Sequence, residues 1–258
     1  MADISLVDTH CHPDFHQFDE DRQEVFGRMR EAGVERIIAV SVELEQAPAL
    51  QRFCADWPGA WYSVGVHPNH PVAEEPTTEE ICGLAADTRC VAIGETGMDF
   101  FHHKVEPEVQ AERFRNHIRA AKQVGKPVIV HMRDADEATL AIMAEEGIGE
   151  CGGVMHCFSS GWEVASRALD LGMSISFSGN VTYKRNDELR EVARRVPGDM
   201  LLVETDAPYL APEPKRGKRN EPTYVRHVAE CLASVRGMEF AEFAAMTTAN
   251  ACRRFGLQ

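Results

Sequence analysis

His10 and His12 stand two residues apart near the start of the chain, just after the apolar run Ile4-Ser5-Leu6-Val7. On an extended strand, residues i and i+2 face the same side, so the two imidazoles form a pair of donors for a divalent cation. The run before them reads as a buried strand that delivers the pair to a fixed place. Such a pair alone equally suits surface histidines near a chain end, so the question is whether distant segments supply ligands of the same kind. His67-Pro68 follows one apolar run, Glu95 another and His131 a third, with Arg133 just beyond it. His156 closes a fourth run, and Glu204 and Asp206 close a fifth. Each has a plainer explanation on its own, as a satisfied core histidine, a helix cap or a turn residue before Pro208. As a set of five imidazoles and three carboxylates, they would need as many separate buried partners. One metal cluster accounts for all of them.

The donors are nitrogen and oxygen only, which suits Mg, Mn, Zn or Co without deciding among them. There are enough for two divalent ions. One ion divides among His10, His12 and Asp206, and the other takes His131 and His156. Glu95 lies between them as a bridging carboxylate. Two ions about 3.5–4 Å apart acidify a shared water and steady both the attacking and the leaving oxygen of a displacement. Asp206 has the chemistry of a general base facing that water. Glu204 is a further candidate ligand, or a group that steadies one. Cys11 and Cys157 fall out of phase with the histidines beside them and are not counted. His67, Arg133 and the basic run 215–219, Arg216 and Lys218 above all, are candidates for holding phosphate outside the cluster. Arg133 can do so bidentately. The basic run also reads as an ordinary solvated loop.

Eight elements must carry these residues. Short apolar runs recur at 6–7, 36–40, 61–66, 91–93, 128–130, 153–155, 174–177 and 201–203. Helical patterns lie between them at 21–32, 107–124, 134–146, 162–171 and 187–196, and a last pair covers 223–236 and 241–253. Phe114, Ile118, Ala121 and Val124 form the stripe of an amphipathic helix. Strand alternating with helix, with near-continuous apolar strands, implies a parallel sheet covered on both faces. A repeat of roughly 28 residues matches a (β/α)8 barrel, and every candidate ligand then falls at the carboxyl end of a strand, where barrel active sites sit. A doubly wound open sheet would want a glycine-rich phosphate loop after its first strand, and none is there. The chain reads as a single α/β domain over residues 1–258, with one long irregular loop at 211–222.

Composition sets the outer limits. The chain has 258 residues, 44% hydrophobic and 26% charged, enough for a well-buried core. A net charge of −14 argues against gripping duplex nucleic acid through a broad basic face. It leaves open phosphate handled through bound cations. Eight irregularly spaced cysteines suit reduced thiols in the cytoplasm. Residues 1–3 lack the start of a signal peptide, and no apolar run approaches the ~18–20 residues that span a bilayer, so no membrane role is expected. Oligomeric state is not legible.

Six motifs in order carry a family resemblance. They are Asp8-Thr9-His10-Cys11-His12, Gly65-Val66-His67-Pro68, Ile93-Gly94-Glu95-Thr96-Gly97-Met98-Asp99, Pro127-Val128-Ile129-Val130-His131, His156-Cys157-Phe158-Ser159 and Glu204-Thr205-Asp206-Ala207-Pro208-Tyr209-Leu210. With Arg216-Gly217-Lys218-Arg219-Asn220-Glu221-Pro222, the chain resembles the TatD family of metal-dependent deoxyribonucleases, in its bacterial YcfH-like branch, from residue 5 to 256. The resemblance implies a metal-dependent hydrolase of the amidohydrolase barrel superfamily with two or more divalent cations. It implies phosphodiester cleavage from a DNA 3′ end, with single strands or 3′ ends as the macromolecular partner. It supports His10, His12, Glu95, His131, His156 and Asp206 as ligands. The departures are Met98 where the family often has Leu, Phe100 and Phe101 where it has Tyr, and Ser160 where it has Gly; they touch the substrate cleft rather than the metals. Hydrolysis of C–N bonds by a cyclic amidase or deaminase of the same superfamily is the competing activity. Many such binuclear enzymes bridge their metals with a carboxylated lysine, and strand four offers Glu95 and no lysine. A non-catalytic metal-binding barrel would show gaps in the ligand set, and none is found.

Overall fold

The computed structural model describes residues 4–257. Its fold is a (β/α)8 barrel, with eight parallel strands in the order β1-β2-β3-β4-β5-β6-β7-β8. The backbone falls into two compact units, one made of residues up to Ala39, Cys157–Ala165 and Ile175 onward, the other of Val40–His156 and Ser166–Ser174.

In the first unit, β1 (Leu6–Cys11) pairs with β2 (Val34–Ala39), and β7 (Met173–Phe177) pairs with β8 (Leu201–Val203). The first and last strands are neighbours. Asp206 N donates to His10 O at 2.8 Å and His12 N to Ala207 O at 2.8 Å, closing a parallel bridge between Cys11 and Ala207. β8 is short and apolar, and all six residues of β1 are buried, because both faces are covered. Leu6, Leu201, Leu202 and Phe177 are fully buried, as are Leu232 of α8 (Val225–Arg236) and Phe243 of α9 (Phe240–Phe255). The helix α1 (Arg22–Glu31) follows β1, and α7 (Asp187–Arg195) follows β7.

In the second unit, β3 (Ala60–Val64), β4 (Cys90–Asp99), β5 (Val128–Arg133) and β6 (Gly153–Met155) pair in succession. The long helix α4 (Pro107–Val124) opens on Pro107 and ends at Gly125, whose φ of 66° supplies the left-handed residue that terminates helices. Its buried stripe includes Phe114, Ile118 and Ala121, each with no exposed surface. Two helices here, α2 (Ala47–Asp56) and α3 (Thr78–Leu84), are not among those read from the pattern. The signal for α3 is local: Thr77 and Glu80 form a reciprocal capping box. Strand β4 is also longer than the apolar run 91–93, and it continues through Glu95 to Asp99. The glycines that end the apolar pattern permit this continuation. Gly97 has φ 139°, and a Cβ there would run into the His131 carbonyl oxygen of β5.

Candidate metal centre

Strand β1 carries His10 and releases His12 one residue past its end, both buried. Asp206 follows β8 with φ 58°, a left-handed conformation that Asp tolerates better than most residues. The backbone bonds between the two strand ends bring the three side chains together. Asp206 Oδ1 lies 3.7 Å from His10 Nε2 and 3.6 Å from His12 Nε2. Those separations exceed a hydrogen bond and match donors arranged around one cation at about 2.0–2.2 Å. His12 is stacked on Phe15 with ring centroids 4.6 Å apart, which fixes its plane. Behind the pair, Asp8 accepts from Thr205 Oγ1 at 2.5 Å, from Thr205 N at 2.9 Å and from His10 N at 3.3 Å. Burial pushes the Asp8 carboxyl up to about 8 despite these donors. Glu204 is buried, and its Oε1 accepts from the Cys157 backbone N at 2.7 Å. The Cys11 thiol turns away from the histidines and faces Ile38 O at 3.6 Å, as the strand alternation requires.

The second unit gathers its donors on Glu95, in the middle of β4. Glu95 Oε1 lies 2.9 Å from His131 Nδ1, 2.9 Å from His156 Nε2 and 3.7 Å from His67 Nε2. His67, Glu95 and His131 offer ligand atoms within 4.8 Å of one another. The other nitrogen of His131, Nε2, meets Asp99 Oδ2 at 3.1 Å. Asp99 also accepts from Phe101 N at 2.9 Å and His102 N at 3.1 Å, and it pairs with His102 Nδ1 at 2.7 Å. Burial works to raise the Asp99 carboxyl, but the bonds from His131 and His102 override it and hold the group well below the usual carboxylate range. Burial works to lower His131, and its bonds to Asp99 and Glu95 raise it instead. His67 is pushed down to about 3 by burial and by the neighbouring His131, so its ring is neutral.

A buried arginine holds the segment that follows β3. Arg113 of α4 donates through Nη1 to His67 O at 2.7 Å, Pro68 O at 3.2 Å and His70 O at 2.9 Å. It also grips Glu75 bidentately at 2.7 and 2.6 Å. Asn69 ties the same segment to the end of β4, donating to Asp99 O at 2.9 Å and accepting from Lys104 N at 2.8 Å. Asp99, Asn69 and Arg113 are the site residues the sequence reading leaves out. Asp99 had a signal, since it shares a strand face with Glu95 four residues earlier. Asn69 and Arg113 had none.

The candidate phosphate holders are dispersed. The Arg133 guanidinium lies over the Phe101 ring, 4.8 Å from its centroid. In the other unit, Arg216 lies over Tyr183 at 4.4 Å and Lys215 over Tyr224 at 5.3 Å. Lys218 lines an open cleft of about 790 Å³ with Lys215, Arg28 and Arg226. Arg219 is committed elsewhere, bonding both oxygens of Asp21 at 2.7 Å.

Buried imidazoles and carboxylates in these two sets fit divalent cations in donor type and in spacing. Comparison with known proteins bears on what such a barrel does. The family model described as TatD related DNase matches residues 7–256. An uncharacterized metal-dependent hydrolase, YcfH of Escherichia coli (strain K12), is 43% identical over 256 residues, covering 97% of this chain and 95% of the relative. The 3′-5′ ssDNA/RNA exonuclease TatD of Klebsiella pneumoniae (strain 342) is 36% identical over 247 residues, covering 93% of this chain and 94% of the relative. Among solved structures, the TatD homolog YjjV of Escherichia coli K12 superposes with a TM-score of 0.90 at 28% identity, covering 98% of both chains.

Proposed function

We propose, on the premise that this chain belongs to the TatD-related DNase family and is a metal-dependent hydrolase, that it is a 3′–5′ exonuclease cleaving phosphodiester bonds of single-stranded DNA or 3′ ends. The observation that carries the reading is the pairing of donor sets, His10 and His12 on Asp206 and His131 and His156 on Glu95, each sized for one divalent cation. In this reading the chain acts as one domain, and the residues of the two sets, Glu95 among them, would hold two divalent cations. Two such cations, Mg, Mn, Zn or Co, polarise the phosphoryl oxygen and acidify water when bound. The protein supplies the rest. Asp206, held at its unusual φ by the β1–β8 bonds, takes the proton of the attacking water. Glu204 steadies the peptide after His156 by accepting its N–H. His67, Arg133, Arg216 and Lys218 are assigned to substrate oxygens. Among the described residues, no helix is long and apolar enough to cross a membrane. The eight cysteines, read as reduced thiols, keep the cytoplasm as the proposed compartment.

The test is a metal-dependence profile on single and double strands labelled at the 3′ or the 5′ end, with an EDTA control and a dihydropyrimidine and a phosphotriester as competing substrates. Release from the 3′ label first, with no turnover of the competitors, supports the proposal; preferential C–N hydrolysis overturns it. With metal saturating, Asp206→Asn should lower kcat by about 10²–10⁴-fold. Near-normal turnover with metal still bound would exclude Asp206 as the base.

A further inference from the structure

His67 is one of three residues whose ligand atoms cluster around Glu95 Oε1, and proximity alone makes it a ligand as good as His131. What each ring's other nitrogen meets separates them. A neutral imidazole carries one proton, so a nitrogen that accepts a hydrogen bond forces the proton onto the other. The Asn69 backbone N–H donates to His67 Nδ1 at 3.1 Å. A backbone amide can only donate, so Nδ1 holds a lone pair there, the ring is neutral, and Nε2 bears the hydrogen. Nε2 is the atom that faces Glu95, 3.7 Å away. In His131 the order is reversed. Nε2 meets the Asp99 carboxylate at 3.1 Å, an acceptor that places the proton on Nε2. Nδ1 faces Glu95 at 2.9 Å and donates to it, and it is the atom from which a bound cation would displace the proton while Asp99 keeps the one on Nε2.

We infer that His67 is not a metal ligand but a neutral hydrogen-bond donor, which presents Nε2–H to a non-bridging or leaving oxygen of the substrate's phosphoryl group. The assignment deepens the nuclease reading and rests on it for the identity of that oxygen. A ring in this tautomer has no lone pair to give on its inward face, whereas an oxyanion is the partner an N–H in that position lacks. The tautomer is built in. Asn69 is held at both ends of its side chain, and the Arg113 guanidinium holds the carbonyls of His67, Pro68 and His70, so the Asn69 amide cannot swing away from Nδ1. A neutral donor also suits the place. It stabilises negative charge developing on oxygen without adding a cation that would compete with the metals for Glu95.

Three measurements on the full chain test this. Mn²⁺ per chain and Mn²⁺ affinity are determined for wild type, His67→Ala, His67→Gln and, as a ligand control, His131→Ala. His67→Ala should keep the wild-type complement with affinity within about threefold, while His131→Ala loses an equivalent or binds about 10–100-fold more weakly. Loss of an equivalent in His67→Ala overturns the inference. In the Mg²⁺-loaded protein, ¹⁵N imidazole spectra should report His67 as the neutral Nε2–H tautomer; a protonated Nδ1 overturns it. On whichever phosphodiester the wild type hydrolyses, single-stranded DNA or bis(4-nitrophenyl) phosphate, His67→Ala should lose about 10–10²-fold in kcat/KM, the scale of one hydrogen bond to a charged group. His67→Gln, which keeps an N–H, should recover most of that loss. Unchanged kcat/KM in His67→Ala overturns the donor role. Wild type inactive on DNA but active on the small diester refutes the nuclease reading alone, because the metal count, the tautomer and the small-diester kinetics still decide the role of His67.

Discussion

At the scale of single residues, the carboxylates behind the candidate ligands are as consequential as those ligands. Asp99 is fully buried, orients His131 through Nε2 and takes three further bonds from Phe101 and His102. Asp99→Ala frees the His131 ring to rotate and change tautomer, so affinity for the cation held by His131 and His156 should fall by about 10–100-fold, read by competition with a chelator. Unchanged affinity would mean that Glu95 alone orients the ring. Asp8 makes a different prediction. Its folded-state value of about 8 lies above the ordinary carboxylate value of 3.8, so the fold binds the proton more tightly than the unfolded chain does. The stability from that protonation is fully present below the unfolded value and is lost as pH rises through the folded one. In EDTA-treated protein, denaturant stability should therefore decline between about pH 4 and pH 8, and Asp8→Asn should flatten the decline. Cation on His10 and His12 favours ionised Asp8, so the slope should lessen in the metal-loaded form; a slope that Asp8→Asn leaves intact belongs to another group. The candidate ligands stand out in the sequence because imidazoles at the ends of apolar runs repeat one unusual event. Asp99, Asn69 and Arg113 were not, because an acid, an amide and a helical arginine are ordinary until their partners are known.

At the scale of elements, the sequence reading was sound where periodicity spoke and stopped where glycine interrupted it. The α4 stripe read from Phe114, Ile118 and Ala121 is the buried face observed. The strand read as 91–93 runs on to Asp99, since Gly94 and Gly97 adopt φ values of 135° and 139° that let β4 lie against β5 where a side chain would collide. Pattern reading treats glycine as a stop; here glycine is what carries Glu95 and Asp99 into the site. The segment from His67 to Glu75 has almost no pattern of its own, and its shape depends on Arg113, whose side chain is 1% exposed. Removing that guanidinium strands three carbonyls and leaves Glu75 without its partner. Arg113→Met should cost about 1–3 kcal/mol in denaturant titrations, the scale for leaving buried acceptors unsatisfied, because Glu75 is 41% exposed and gains water in place of its partner. Because the segment carries His67, the variant should also lose activity at temperatures where it remains folded. A stable variant with wild-type kinetics would show that the segment holds itself.

At the scale of the whole molecule, fold and chemistry meet where β1 lies beside β8. If His10 and His12 share a cation with Asp206, the first strand and the last must be neighbours and the sheet must close, and the bridge between Cys11 and Ala207 is that closure. The barrel was therefore legible from its candidate ligands as well as from its strand repeat, whereas the division of the backbone into two compact units left no mark in composition. The same join predicts how metal couples to stability. A cation held by His10, His12 and Asp206 ties together the two ends of the strand order, and in a chain of net charge −14 it offsets carboxylates that otherwise repel. A ligand that binds only the folded chain stabilises it by about 2.7 kcal/mol at a concentration 100 times its Kd. For a domain of this size each kcal/mol moves the Tm by about 2–4 °C, so saturating Mn²⁺ should raise the Tm by about 5–10 °C over the EDTA-treated protein. His10→Ala/His12→Ala should lose the part of that rise that comes from the first set and keep the part from His131, His156 and Glu95. A double variant with the full wild-type rise would show that metal stabilises the chain without touching β1, and the binuclear reading would fall with it.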